Sequence, residues 1–291
     1  MNNDDSDNKK VIITGFYSGI GLQTSIELAR QGIKVIGIGR SENKAKDAII
    51  RIKEETGSDG VEFVKCDLSE SEQVKQAAEK IKAEHQQVDV LINNAGIINR
   101  KLLVSKDGLE NTFAVSAMSS FLLTRLLLGT LLHSPAPMVI NLTSEGYKQG
   151  KVDFEAFQGK KKYKTMSSYS NAKMAEMIWT YEMAERLTYQ NISFRLVHPG
   201  LVPYTGGIKK MPLWIRPIVL IMRLLPLSKS LQEGAQPVID CVLGKEGTQE
   251  KVLYLKEGYS EEPLKKVKDK KHRKAVWEFL CEKTQMPVKL D

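Results

Sequence analysis

From residue 10 to about residue 255, short apolar runs alternate with longer stretches of helical periodicity. That alternation leaves few choices beyond βαβ units laid on a parallel sheet. The runs are "KVIIT" (10–14), "KVIGIG" (34–39), "VEFVKC" (61–66), "VDVLIN" (88–93), "MVINLT" (138–143), "ISFRLVH" (192–198) and "KVLYL" (251–255). They predict an α/β protein with a doubly wound, seven-stranded parallel sheet and helices on both faces. Between them, "GIGLQTSIELARQG" opens on glycine and closes at Gly32, and "SESEQVKQAAEKIKAEH" begins with a Ser/Glu capping pattern. Neither an internal repeat nor a domain-scale linker breaks the series. Residues 9–291 therefore read as one domain behind a disordered tip at 1–8.

Three segments depart from the alternation: a polar loop at 145–168, an apolar insert with interleaved basic residues at 203–228, and a charged tail helix after 264. Long loops of this kind are usually functional or mobile. The first two follow the C-terminal ends of strands, where open parallel sheets bind ligands.

The loop after the first strand reads "TGFYSGIG" and places Gly15, Gly19 and Gly21 between strand and helix. Glycine there lets the backbone turn sharply and approach a pyrophosphate, which the positive end of the following helix favours. In that context the loop residues Gly15, Tyr17, Ser18, Gly19, Ile20 and Gly21 point to a dinucleotide site on a Rossmann-type fold. NAD enzymes usually carry an acid about 20 residues further on, at the end of the second strand. Here the strand ends "IGIGRSENK". Arg40 stands where the acid would be and Lys44 follows one turn later, so a 2′-phosphate, and hence NADP(H), is the expected ligand.

In "SSYSNAK", Tyr169 and Lys173 are four residues apart, which puts both on one face of a helix. A phenol near its free pKa of about 10 is a poor base at neutral pH, and a neighbouring ammonium favours its ionised form.

With these motifs assembled, the chain resembles the short-chain dehydrogenase/reductase family over about residues 9–285. The matching pieces are "TGFYSGIG" (14–21), "CDLS" (66–69), "NNAG" (93–96), Ser144 after the fifth strand, Tyr169 with Lys173, and "HPG" (198–200). Within the family it is similar to the retinol-dehydrogenase-like branch. The resemblance implies Tyr169 as general acid/base, Ser144 holding the substrate oxygen and Lys173 on the nicotinamide ribose. It further implies cofactor contacts from Asp67, Leu68, Asn93, Ala95, Gly96, Pro199, Gly200, Val202 and Thr205. His198 reads instead as a hydrogen-bonded packing residue.

Two positions depart from the family pattern. Ser116, in "FAVSAM", stands where an asparagine usually supports a water of the proton relay, and its shorter side chain reaches less far. The usual threonine after the proline-glycine pair would fall at Tyr204, with Thr205 one place later. A cofactor-binding regulator or scaffold with weak turnover is therefore the competing expectation.

The resemblance places the insert where the family keeps its substrate lid, and its Trp214, Ile218, Leu220, Ile221, Met222, Leu224 and Leu225 would make an apolar cover over a bulky hydrophobic carbonyl or alcohol substrate: a retinoid, steroid, lipid aldehyde or natural-product ketone. Its basic residues are compatible with peripheral contact with a lipid interface, but it is too short and charged to span one. The net charge of +8 is spread along the chain and comes with no nucleic-acid-binding motif. Three scattered cysteines suit neither a disulfide framework nor a metal cluster. These features predict a cytoplasmic protein, peripheral to a membrane at most, that binds no nucleic acid; a homo-oligomer is compatible with them.

Overall fold

The computed structural model describes residues 9–203, 228–245 and 247–290. The expected tip at 1–8 and nearly all of the expected lid, 204–227, lie outside the described residues. The seven predicted strands are β1 (Lys10–Thr14), β2 (Lys34–Gly39), β3 (Val61–Lys65), β4 (Val90–Asn93), β5 (Met138–Leu142), β6 (Ser193–His198) and β7 (Val252–Lys256). They pair in parallel, and a two-residue antiparallel strand, β8 (Tyr259–Ser260), extends the edge to the order β3-β2-β1-β4-β5-β6-β7-β8. That eighth strand was not foreseen, because two residues carry no periodicity.

The inner strands are mostly apolar because both faces of the sheet are covered, whereas the edge strand β3 exposes Glu62 and Lys65. In β1, Val11 and Ile13 belong to one buried cluster and Ile12 to the other, as a two-residue period requires. The first cluster is closed by α1 (Gly19–Arg30), α2 (Glu42–Thr56) and α8 (Leu231–Val242). Opposite lie α3 (Ser71–Glu84), α5 (Ser119–Leu132), α7 (Thr165–Arg186) and α10 (Lys270–Thr284). Short helices α4 (Asn111–Phe113), α6 (Phe154–Phe157) and α9 (Lys265–Lys268) complete the set. Trp179 of α7, Trp277 of α10 and Phe121 of α5 form an edge-to-face cluster, with the Phe121 ring 5.8 Å from Trp179 and 5.1 Å from Trp277.

Helix α3 begins differently from expectation. The Ser/Glu pattern does not cap it. Asp107, from the loop before α4, accepts instead from the Ser71 amide at 2.8 Å and the Ser71 hydroxyl at 2.7 Å. Residues Asn111–Leu132 form a run long and apolar enough to cross a membrane, but 83% of its most apolar stretch is buried inside the protein, as in a core helix.

The glycines of β2 serve packing. A Cβ on Gly37 would stand 2.3 Å from the Phe16 ring, and one on Gly39 would stand 2.2 Å from the Tyr17 ring. Phe16 is fully buried, so it has nowhere to move, and overpacking a filled core costs about 1–3 kcal/mol. Gly37→Ala is expected to lower unfolding stability by about that amount in denaturant titration. An unchanged midpoint would show that Phe16 is not packed against this strand.

Candidate active site

The site begins where β1 and β4 end beside each other, the point at which strand order reverses and a crevice opens. The Thr14 hydroxyl accepts from the backbone amides of Asn94 and Ala95, each at 3.0 Å, while Asn94 Nδ2 donates to the Thr14 carbonyl at 2.7 Å. Gly15 and Gly19 then turn the chain with φ of +69° and +57°, a region that suits glycine. Ser18 is the N-cap of α1 but its side chain caps nothing, and no acid occupies the first turn. In contrast, Ser41, Ser230 and Asp269 cap α2, α8 and α10. The first amides of α1 and its positive end are thus left for an anion.

A cavity of about 480 Å³ runs along these strand ends. Gly15, Tyr17, Ser18, Gly19, Ile20, Arg40, Lys44, Asp67, Leu68, Ala95, Gly96, Ser144, Tyr169, Lys173, Pro199, Gly200 and Val202 all line it. Three expected residues do not. A Cβ on Gly21 would meet Asn94 Nδ2 at 2.5 Å and the Gly15 carbonyl at 2.6 Å, so Gly21 lets α1 sit against the turn. Asn93 is buried in a ladder: its Nδ2 donates to Asn141 Oδ1 at 2.8 Å and to Thr124 Oγ1 at 3.2 Å, and Asn141 Nδ2 donates to Thr180 Oγ1 at 2.8 Å. Ser116 lies in a π-helical turn, Ala114–Met118, fully buried, and its Oγ has no partner among the described residues. A Cβ on Gly96 would be 3.7 Å from Ser116 Oγ and 3.9 Å from Lys173 Nζ, so both groups underlie that glycine. Thr205 lies outside the described residues.

At one end of the cavity, the exposed Arg40 guanidinium is 3.6 Å from Asp67. Asp67 also accepts from the Ser69 amide at 3.0 Å and hydroxyl at 2.7 Å. Burial pushes its carboxyl upward, but the Ser69 hydrogen bonds and the Arg40 charge outweigh it, leaving it below the ordinary carboxylate range. At the other end, Ser144 Oγ accepts from the Gly146 amide at 3.2 Å and caps the 3-10 turn Glu145–Gln149. A Cβ on Gly146 would lie 3.5 Å from both Ser144 Oγ and the Tyr169 ring, so the two side chains flank the same glycine. Tyr169 sits in the second turn of α7, and its hydroxyl has no hydrogen-bond partner among the described residues.

One turn on, Lys173 is 3% exposed, and its ammonium donates to the Leu142 carbonyl at 2.6 Å and to Glu176 Oε2 at 2.8 Å. Burial raises the Glu176 carboxyl to about 7, against the opposing pull of Lys173. His198 lines the cavity too, and desolvation keeps its imidazole from protonating at its usual pH. The reading of His198 as a satisfied packing residue needs correction, since its Nδ1 is buried without a partner among the described residues.

Sequence reasoning missed Ile97, Ile98, Asn111, Val115 and Thr143 as lining residues; Val115 sits inside "FAVSAM" and Thr143 ends "MVINLT", but neither was singled out there. Glu176 could have been noticed, since an acid three residues after Lys173 in "KMAEMIW" interrupts an apolar stretch. The uncapped start of α1, the two left-handed glycines, the basic rim at Arg40 and the length of the cavity together fit a nicotinamide dinucleotide.

Comparisons with known proteins agree. The model of the short chain dehydrogenase family matches residues 9–214. Retinol dehydrogenase 12 of Mus musculus is 33% identical over 275 residues, 94% of this chain and 85% of that protein. Retinol dehydrogenase 14 of Mus musculus is 33% identical over 284 residues, 93% of this chain and 84% of that protein. Among solved structures, an uncharacterised protein from Mycobacterium Paratuberculosis superposes with a TM-score of 0.75 at 24% identity, covering 98% of this chain and 95% of that one. A short chain dehydrogenase from Salmonella enterica superposes with a TM-score of 0.69 at 19% identity, over 89% of this chain and 99% of that one. Fold, cavity and relatives lead to one assignment: the chain belongs to the short-chain dehydrogenase/reductase family, as an oxidoreductase of alcohol and carbonyl groups that works with a nicotinamide cofactor.

Proposed function

We propose that this chain is an NADP(H)-dependent oxidoreductase for a bulky hydrophobic alcohol or carbonyl compound, with Tyr169 as its general acid/base. The observation that carries the reading is the meeting of Tyr169, Lys173 and Ser144 at one end of a cavity whose other end holds Arg40 and Lys44. Arg40 and Lys44 would hold a 2′-phosphate, the start of α1 the pyrophosphate, Asp67 and Leu68 the adenine, and Lys173 the nicotinamide ribose. Ala95, Gly96, Pro199, Gly200, Val202 and Thr205 would border the cofactor. Asn93 and Gly21 would act from behind, by fixing the strand ends and α1.

When bound, the nicotinamide supplies a hydride to a carbonyl carbon or takes one from an alcohol carbon. Ser144 donates a hydrogen bond to the substrate oxygen and orients it toward Tyr169. The Tyr169 hydroxyl gives its proton to that oxygen in reduction and takes one back in oxidation. Lys173 acts by charge, making the phenolate easier to reach.

Ile97, Ile98, Val115, Leu142 and Val202 give the cavity an apolar side. With the apolar composition of 203–228 and relatives named retinol dehydrogenases, they favour a retinoid or another long lipophilic molecule. Residue contacts with a lipid surface would follow from the same insert.

A second reading, a cofactor-binding regulator with little turnover, draws on Ser116, whose hydroxyl is buried, lines no part of the cavity and has no partner among the described residues. Substitution separates the two. Tyr169→Phe is expected to lower kcat roughly 10²–10⁴-fold with NADPH binding by fluorescence unchanged, assayed on lipophilic aldehydes and ketones. Wild-type protein that binds NADPH but turns over none of them would support the regulator.

Arg40→Ala is expected to raise the KM for NADPH about tenfold and leave that for NADH nearly unchanged, as loss of charge-assisted contacts to a solvent-exposed phosphate implies. Equal effects on both cofactors would remove the argument for NADP(H).

A further inference from the structure

Glu176 is 1% exposed, and nothing assigned so far needs a carboxylate there. Its Oε2 accepts from the Lys173 ammonium at 2.8 Å while the Leu142 carbonyl accepts from it at 2.6 Å. An ammonium has three donors, so one is left for a ligand in the cavity that Lys173 lines. Leu142 belongs to β5 and Glu176 to α7, so the lysine is clamped between the strand end that precedes Ser144 and the helix that carries Tyr169.

A buried carboxylate is costly to ionise unless paired, and here its partner is the side chain one turn from Tyr169. With Glu176 ionised, the Lys173–Glu176 pair has no net charge. With Glu176 protonated, the pair carries one positive charge.

We propose that Glu176 is a positioning residue of the acid/base machinery: it fixes the Lys173 ammonium, and its ionisation sets how much positive charge reaches Tyr169. The proposal rests on the reading of Tyr169 as the acid/base.

Charged groups on the elements packed around α7 are engaged elsewhere. Glu145 of the 3-10 turn pairs with Lys148 and Lys256. Glu110, ahead of α4, accepts from the Thr112 and Phe113 amides. Arg273 of α10 pairs with Glu182 and Glu185, and Lys266 of α9 donates to the carbonyls of Lys148 and Gly150. Burial lowers the pKa of His198 of β6 against the pull of Glu145 and Glu257, and Tyr147 accepts from the Leu264 amide. Lys173 is the charge that acts on Glu176 among the described residues.

The sign follows. Ionised Glu176 screens Lys173 and holds Tyr169 as a phenol, the form that donates a proton in carbonyl reduction. Protonated Glu176 leaves the lysine charge unscreened and favours the phenolate. Glu176→Gln keeps the size and removes the carboxylate, so that the lysine charge is no longer screened.

The basic limb of kcat/KM for carbonyl reduction is expected to move down by about one pH unit in Glu176→Gln, and alcohol oxidation to rise up to about tenfold above about pH 7, where wild-type Glu176 is ionised, with the two proteins converging at lower pH. A uniform loss of rate with an unmoved limb would reduce Glu176 to a structural residue and overturn the proposal. Infrared titration of the apo-protein, carrying glutamate labelled with carbon-13 at the carboxyl, supplies a readout that needs no turnover.

Among the described residues, two buried glutamates have carboxyls raised by burial, Glu110 and Glu176. In Glu110→Gln, a protonated-carboxyl band that persists above about pH 6, beyond the range of ordinary glutamates, is expected. Its absence would also overturn the proposal, even if Glu176→Gln does not fold. Wild-type protein inactive on every substrate would instead overturn the dehydrogenase reading, while the infrared result still decides the state of Glu176.

Discussion

A single buried ammonium joins the two elements on which the site depends. Lys173 comes from α7 and binds the last carbonyl of β5, Leu142, at 2.6 Å. A cation withdrawn from water needs such partners, so helix and strand cannot slide without leaving it unsatisfied. Ser144 follows that strand by two residues and Tyr169 precedes the lysine by one helical turn. The clamp therefore sets the distance between the two side chains that flank Gly146. Behind it, α7 is held by Trp179 against Phe121 and by the Asn93, Asn141 and Thr180 ladder. Apolar packing fixes where the helix lies, and polar groups fix its register.

The cavity carries an ordered gradient of charge. Arg40 and Lys44 stand at one end, the bare start of α1 follows, and the buried Lys173 closes the other end. These features favour an extended, multiply anionic ligand with a less charged ring at its inner end. The Asp67 carboxylate, held by two hydrogen bonds from Ser69 and 3.6 Å from the Arg40 guanidinium, offsets part of the basic rim.

Much of this was legible in the chain because the fold rests on local periodicity. All seven parallel strands appear within two residues of their expected ends, since strands covered on both faces read as mostly apolar runs. The glycine loop was legible because its backbone demands that residue. What escaped depended on distant partners. Asp107 holds Ser71 across 36 residues and displaces the expected cap of α3. Ser116 was read at a site position, yet the π turn buries it beneath Gly96. Asn93 looked like a cofactor contact, and its amide is taken by Asn141 and Thr124. Motif position does not reveal where a side chain finds its hydrogen bonds.

The central claim is that a clamped lysine holds Tyr169 and Ser144 on one substrate oxygen beside the nicotinamide. A crystal structure with NADP⁺ and an unreactive lipophilic alcohol tests it most directly. The account predicts the ligand oxygen within hydrogen-bond distance of both the Tyr169 and Ser144 hydroxyls, with Lys173 still on Leu142 and its remaining donor on the ribose. An alcohol bound with its oxygen away from Tyr169, or a lysine drawn off the Leu142 carbonyl, would contradict it.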